Sequence, residues 1–161
     1  MRKINPEHIK SLIGMLNHGP YYQLLDMRLC AIEAGFARVE VMLSRKHLNP
    51  FGAVHGGAYS SMLDTAAYWA AYCELDENVG LTTVDLSTNF LAMATEGLVT
   101  IEGYSIKVGR SLCLTQAFVR DESGKLLAYG TSQLMVLQGR QTINDAISTM
   151  GFEALPPKFL D

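Results

Sequence analysis

The chain has 161 residues, 48% of them apolar, and a formal charge of −3 at neutral pH. This length and composition predict one compact domain with a sizeable core, and the acidic balance argues against a nucleic-acid partner. The three cysteines are widely spaced and form no CxxC pair, so neither a disulfide framework nor a zinc site is indicated. Since the polar segment at residues 1–8 has no secretory pattern, we expect a cytoplasmic protein.

The first third of the chain is expected to form a helix, a short turn and a hairpin. Apolar residues at helical spacing predict a helix over Pro6–Asn17, followed by a short turn at 21–25. Apolar residues then alternate with polar ones over 26–41, with Ala34-Gly35 between the two runs, which predicts a hairpin. An irregular loop is expected over 44–54, where a proline and a glycine interrupt the pattern.

A long apolar helix and four strands are predicted for the rest of the chain. The helix runs from about 56 to 74. Its apolar part, 58–71, is shorter than the roughly 20 apolar residues of a membrane span, so no membrane partner is expected. Alternating hydrophobicity predicts strands at about 81–92, 98–107, 111–121 and 125–137. A short helix over Thr142–Met150 and a tail at 151–161 complete the pattern.

These elements together predict an α+β fold. A helix that is apolar nearly all round requires burial on most of its sides, and a strongly curved antiparallel β-sheet wrapped around it provides that burial. This arrangement of a curved sheet and a long central helix is the hotdog fold. We expect a single domain over 1–161, with a helical N-terminal extension at 1–25 and a C-terminal helix and tail at 140–161.

The start of the long helix carries the most informative motif. Gly56 and Gly57 place two residues without Cβ atoms where a helix N-terminus leaves backbone N–H groups unpaired, so a ligand oxygen can approach those groups closely. Asp64 adds an ionisable group two turns further along an otherwise apolar helix. A carboxylate near oriented N–H donors suggests hydrolysis of a carbonyl compound.

The spacing of Asn49, His55-Gly56-Gly57 and Asp64 resembles the active-site segment of hotdog-fold acyl-CoA thioesterases, of the PaaI-like and thioesterase-superfamily-member-2 type. The resemblance extends from about 35 to 137. It implies an enzyme, a thioester hydrolase, that acts on an acyl- or aryl-acyl-CoA. It also implies a homodimer, with two dimers joined in a homotetramer. No metal and no cofactor are implied, because coenzyme A is part of the substrate.

The resemblance further implies a role for each catalytic residue. The Gly56 N–H polarises the thioester carbonyl, assisted by the helix dipole. Asp64 of a partner chain acts as general base or as nucleophile, two mechanisms between which the sequence does not choose. Asn49 and Thr82 orient water and carboxylate. For Asn49, which precedes a proline, initiation of a turn remains the alternative.

A second group of implied residues binds the substrate. These residues are His55, Gly57, Asn89, Lys107, Gly109, Arg110 and Ser111. Lys107 and Arg110 are the candidates for the coenzyme A phosphates, and the alternative is an ordinary basic turn. Side chains expected in the acyl pocket are Tyr59, Met62, Leu63 and Tyr68, which suit aromatic and medium aliphatic groups equally.

The distance along the helix decides how such a site could be assembled. Gly57 and Asp64 lie about 10 Å apart at 1.5 Å per residue, so a carbonyl held at the first cannot meet the second across one water. Either the two are unrelated, or a second subunit completes the site, and the resemblance favours the second subunit. Two other functions stay open, a non-catalytic acyl-CoA binding protein and a hotdog dehydratase or hydratase.

Overall fold

The computed structural model describes residues 2–160, so Met1 and Asp161, the ends of the expected domain, lie outside the described residues. The helices are α1 (Pro6–Leu16), α2 (Pro20–Leu24), α3 (Gly56–Ala70) and α4 (Ile143–Met150). The strands are β1 (Lys3–Ile4), β2 (Met27–Glu33), β3 (Phe36–Leu43), β4 (Val79–Phe90), β5 (Gly97–Val108), β6 (Leu112–Arg120), β7 (Leu126–Gln138) and β8 (Phe159–Leu160). The predicted hairpin and the four later strands are thereby confirmed.

Six strands form one antiparallel sheet in the order β2-β3-β5-β6-β7-β4, and α3 contacts all six of them. The helix lies directly against the sheet where Gly103 of β5 faces it, since a Cβ on that glycine would come within 2.1 Å of the Ala66 carbonyl oxygen. Side chains of α3 and of the inner sheet face form the core. This is the predicted α+β arrangement, a sheet wrapped around one helix.

The predicted end of the central helix was wrong by four residues. Helix α3 ends at Ala70, and a separate 3₁₀ turn follows at Tyr72–Glu74. The Lys158 side chain, which is 1% exposed, donates from Nζ to the carbonyl oxygens of Tyr72 at 2.8 Å and Leu75 at 2.7 Å. These carbonyls therefore bind a lysine from the far end of the chain, and burial lowers the pKa of Lys158 to about 8.

Strands β1 and β8 were not predicted. They pair antiparallel, so the C-terminal tail returns to the N-terminus of the chain. Each is two residues long, which is too short for a pattern of alternation to be recognised. Their pairing depends on contacts more than 150 residues apart in sequence, such as Asn5 N–H to the Lys158 carbonyl at 2.9 Å.

Strand β4 lies at one edge of the six-stranded sheet and is 12 residues long. An edge strand has one side of its backbone unpaired, which makes it a template for another strand. Val84 and Phe90 on β4 are 52% and 51% exposed.

Among residues 2–160, no helix is both long and apolar enough to cross a membrane.

Candidate active site

The N-terminus of α3 is capped by His55, whose backbone is extended and whose Nδ1 accepts a hydrogen bond from the Gly57 N–H at 2.8 Å. The proton of this ring is therefore on Nε2. The N–H of Gly56, the first helical residue, has no acceptor within the described residues. Of the two glycine N–H groups, Gly57 is thus used for the cap, and the Gly56 N–H is left without a partner among residues 2–160.

Gly56 lies beneath an aromatic ring at the mouth of a cavity of about 580 Å³. A Cβ at this position would come within 2.9 Å of the Phe90 ring, so a side chain here would displace that ring. Asn49 and Tyr59 line the same cavity. The structure therefore brings Asn49 and Gly56, two of the predicted catalytic residues, to the same cavity.

Asn49 organises the loop that leads into α3. Its Oδ1 accepts from the backbone N–H of Phe51 at 2.9 Å and of Ala53 at 3.3 Å. This is the turn-forming role that the sequence left as the alternative. The side-chain NH₂ has no acceptor among residues 2–160, so the amide can fix the turn with its oxygen and still offer a donor to the cavity.

Asp64 is a half-buried carboxylate on α3 that lines a second cavity of about 770 Å³. Its Oδ1 accepts from the Thr83 Oγ1 at 2.9 Å. Burial raises the pKa of Asp64 above its usual value, and the hydrogen bond from Thr83 offsets part of that rise. A carboxylate with a raised pKa is a stronger proton acceptor than an exposed one, which suits general base chemistry.

Sequence analysis missed Thr83 and selected its neighbour. Thr82 is opposite Met135, which is 42% exposed, whereas Thr83 is opposite Leu134, which is fully buried. Successive residues of a strand face opposite sides of the sheet, so Thr83 faces the helix and Thr82 faces away from it. Within one chain the structure brings Thr83, and not Thr82, to Asp64. The sequence signal for this orientation was the apolar Leu81, which lies two residues before Thr83 on the same strand face and is buried.

The predicted phosphate-binding segment forms the turn between β5 and β6. The Gly109 N–H donates to the Leu112 carbonyl at 3.0 Å, and Lys107 and Arg110 are exposed. Arg110 shares a cavity of about 430 Å³ with Glu74, just after the C-terminal end of α3. The length of α3 places this turn about 20 Å from Gly56 of the same chain.

The remaining predicted substrate-binding residues are divided between the two ends of α3. Asn89 is exposed on β4, next to the Phe90 ring that covers Gly56. Ser111 is exposed in the β5–β6 turn, and its carbonyl accepts from the Val136 N–H at 3.0 Å. Asn89 does not line the cavity of Asn49 and Gly56, because it faces the side of β4 opposite to Phe90, whereas Ser111 lies in the same turn as Lys107 and Arg110.

The two halves of the predicted site do not meet in one chain. Asn49 and Gly56 line one cavity, Asp64 lines another, and the two cavities have no lining residue in common. Among residues 2–160, no group of three or more His, Cys, Asp or Glu side chains is arranged to hold a metal ion.

Comparison with known proteins finds relatives among thioesterases. A model of the thioesterase superfamily matches residues 51–128, from the loop before α3 to the start of β7. The chain is 26% identical over 119 residues to the 1,4-dihydroxy-2-naphthoyl-CoA hydrolase of Listeria monocytogenes, covering 74% of this chain and 97% of that relative. The sequence-based expectation of a thioester hydrolase is thereby confirmed.

Solved structures of thioesterases share the fold. A thioesterase of Haemophilus influenzae superposes with a TM-score of 0.78 at 22% identity, covering 87% of this chain and 97% of that chain. A thioesterase family protein of Silicibacter pomeroyi gives a TM-score of 0.73 at 25% identity, covering 81% and 98%. The predicted hotdog fold is confirmed.

The structure also corrects the expected acyl pocket. Met62 and Leu63 are fully buried in the core between α3 and the sheet, so they are not available to a ligand. Tyr59 lines the cavity of Gly56, and Tyr68 lines the cavity of Asp64. Periodicity alone does not distinguish the sides of a helix that is apolar nearly all round.

Proposed function

We propose that this chain is an acyl-CoA thioesterase whose active site is shared between two copies. The observation that carries the proposal is the separation of the site in one chain. The carbonyl-binding N–H of Gly56 and the carboxylate of Asp64 lie on one helix but line different cavities. If α3 of a second copy lay antiparallel beside α3 of the first, the Asp64 of each copy would come close to the Gly56 of the other.

The open edge strand β4 supports such a pairing. It is long, it pairs with β7 alone among residues 2–160, and it carries the exposed Val84 and Phe90. Antiparallel pairing of β4 with its copy would join the two sheets about a two-fold axis and create two identical sites. The same operation moves the partner's β5–β6 turn toward Gly56, where Lys107 and Arg110 would bind the phosphates of coenzyme A. Two such dimers would form the tetramer.

The proposed chemistry assigns one role to each half of the site. The Gly56 N–H stabilises the negative charge that develops on the thioester oxygen. As general base, Asp64 takes a proton from the attacking water, and it returns that proton to the thiolate when the carbon–sulfur bond breaks. As nucleophile, Asp64 would instead form an anhydride as the thiolate leaves, and water would then hydrolyse it. Asn49 would orient the water and Thr83 would hold the Asp64 carboxylate, and no cofactor is required beyond the coenzyme A of the substrate.

A thiol-release assay tests the function directly. We expect the purified oligomer to release one equivalent of free coenzyme A and one of carboxylate for each acyl-CoA consumed. A dehydratase or hydratase would alter an enoyl-CoA without releasing thiol, and a binding protein would retain acyl-CoA unchanged. Either result with a panel of acyl-CoAs would contradict the proposal.

Thr83→Val should move the pH dependence of this reaction in a defined direction. The Thr83 hydroxyl stabilises ionised Asp64, so its removal raises the pKa of a carboxyl that burial has already raised. Since the ionised form is the active one, the acid limb of the kcat/KM profile should move to higher pH. Thr131→Val is the matched control, because Thr131 is exposed on β7. An unmoved acid limb in Thr83→Val would contradict the role of Asp64.

A further inference from the structure

The cavity beside Asp64 has walls from three separate parts of the chain. Helix α3 supplies Asp64, Tyr68 and Trp69, and α2 and α4 close the sides. Its aromatic and aliphatic lining consists of Leu16, Pro20, Tyr21, Tyr22, Tyr68, Trp69, Leu86, Ile143, Ala146 and Met150. A cavity of about 770 Å³ with such a lining has the size and character of a site for a sizeable apolar ligand.

The tyrosine hydroxyls in this wall are used by the protein itself. Tyr22 accepts from the Trp69 Nε1 at 2.6 Å, which ties α2 to α3. The Tyr21 hydroxyl is hydrogen-bonded to the Ser61 Oγ at 2.7 Å, and Tyr68 donates to the Leu81 carbonyl at 3.2 Å. What these side chains present to a ligand is therefore mainly ring surface, which favours apolar groups.

Helix α4 is held in place over the cavity, yet its apolar side is not fully covered. The chain before it passes directly over Gly80 of β4, where a Cβ would come within 2.1 Å of the Arg140 carbonyl oxygen. A capping box fixes its first turn, in which Asp145 accepts from the Thr142 N–H at 2.9 Å. None of its residues is fully buried, although Ile143, Ala146 and Met150 pack against the core.

Of the two carboxylates that line the cavity, Asp64 is the one that is not part of the capping box of α4. The other carboxylate in the lining, Asp145, is hydrogen-bonded to both the backbone N–H and the hydroxyl of Thr142. An apolar group that fills the cavity would thus have its reactive end at Asp64 and its body between α2 and α4. Both of these helices lie outside residues 51–128, the part of the chain that matches the family model.

We propose that α2 and α4 form the acyl-selecting wall of this enzyme, and that the cavity between them selects bulky apolar acyl groups over short ones. This inference rests on the proposed thioesterase function, because it assigns the acyl group of that substrate to this cavity. The residues that determine acyl size are then Tyr22, Ala146 and Thr149, contributed by the chain on either side of the family-matched segment. They select the substrate and take no part in the bond-breaking step.

The test fills the cavity from α4 and compares substrates. Thr149 lines the cavity and is exposed, and the adjacent Ser148 is exposed but does not line it. We expect wild-type kcat/KM to be about a hundredfold higher for octanoyl-CoA or benzoyl-CoA than for acetyl-CoA. Thr149→Phe should lower kcat/KM for the bulky substrates about tenfold or more, with acetyl-CoA changed less than about twofold. Ser148→Phe should leave all three unchanged.

Ala146→Leu provides a second filling variant from one turn earlier on the same helix, with an aliphatic side chain in place of an aromatic one. A folded pair of filling variants that lose activity equally on bulky and short substrates, or on neither, would overturn the proposed wall. A wild-type protein that prefers acetyl-CoA would overturn it as well. Absence of thiol release from every acyl-CoA by the wild type would instead refute the thioesterase function on which it rests.

Discussion

Asp64→Asn should lower kcat for acyl-CoA hydrolysis by about 10²- to 10⁴-fold, because it removes the basic or nucleophilic oxygen and keeps the shape of the side chain. The carbonyl oxygen of the introduced asparagine can still accept the hydrogen bond from Thr83, so the local geometry is retained. Steady-state thiol release at saturating acyl-CoA measures the loss. Full turnover by a folded, oligomeric variant would refute the assignment of Asp64.

The same substitution should not destabilise the protein. Burial raises the pKa of Asp64 in the folded state, so ionised Asp64 costs folding free energy at neutral pH, and stability is regained as pH falls through the folded-state pKa. The neutral asparagine removes that cost. The thermal midpoint of Asp64→Asn at neutral pH should therefore equal or exceed that of the wild type, and the difference should shrink in acid.

Asp26→Asn is the matched control for both measurements. Asp26 is an exposed residue with φ of 51°, a left-handed conformation that asparagine also adopts. Its carboxylate pairs with Lys46 at the surface. We expect kcat to be unchanged in this variant. A comparable loss of kcat in both variants would show that the effect of Asp64→Asn is not specific to the site.

Mixing two inactive variants should restore about a quarter of wild-type activity. One variant is Asp64→Asn, and the other is Gly56→Leu, whose side chain would occupy the space where a Cβ already meets the Phe90 ring at 2.9 Å. After random exchange half of the dimers are mixed. Each mixed dimer has one intact site and one site with both lesions, because each site takes its N–H from one chain and its carboxylate from the other.

The control for complementation places both lesions in the same half of the site. Asn49 and Gly56 line one cavity, so a mixture of Asn49→Ala with Gly56→Leu leaves every site damaged and should gain no activity over its parents. Subunit exchange is verified by mass spectrometry of differently tagged chains. No recovery with Asp64→Asn after verified exchange, or full activity of an isolated monomer, would eliminate the shared site.

Local pattern was sufficient to predict the main helices and strands and the position where the central helix begins. The alternation in strands β4 to β7 and the apolar run of α3 reflect periods of 2 and 3.6 residues, which depend only on neighbouring positions. The paired glycines at 56 and 57 mark a helix start because of what a helix terminus leaves unpaired. Asp64 also stands out in the sequence, because it is an ionisable residue within an otherwise apolar helix.

Sequence reasoning failed where a contact joins distant parts of the chain. Whether Thr82 or Thr83 reaches Asp64 depends on the register of β4 against β7 and on the irregularity between Thr83 and Asp85. A shift of one residue exchanges the two faces of a strand. The turn that follows α3 likewise depends on Lys158, a residue more than 80 positions away from the carbonyls that it binds.

By itself, then, the sequence determined that this protein is a curved sheet around an apolar helix, with a pair of glycines at the helix start and a carboxylate about two turns further along that helix. Only the tertiary structure decided that Thr83 supports Asp64, that Asn49 holds a turn, and that α2 and α4 enclose the cavity beside the carboxylate. The physical reason is that spacing along one helix or strand follows from backbone geometry, whereas the juxtaposition of chain ends follows from how separate surfaces pack.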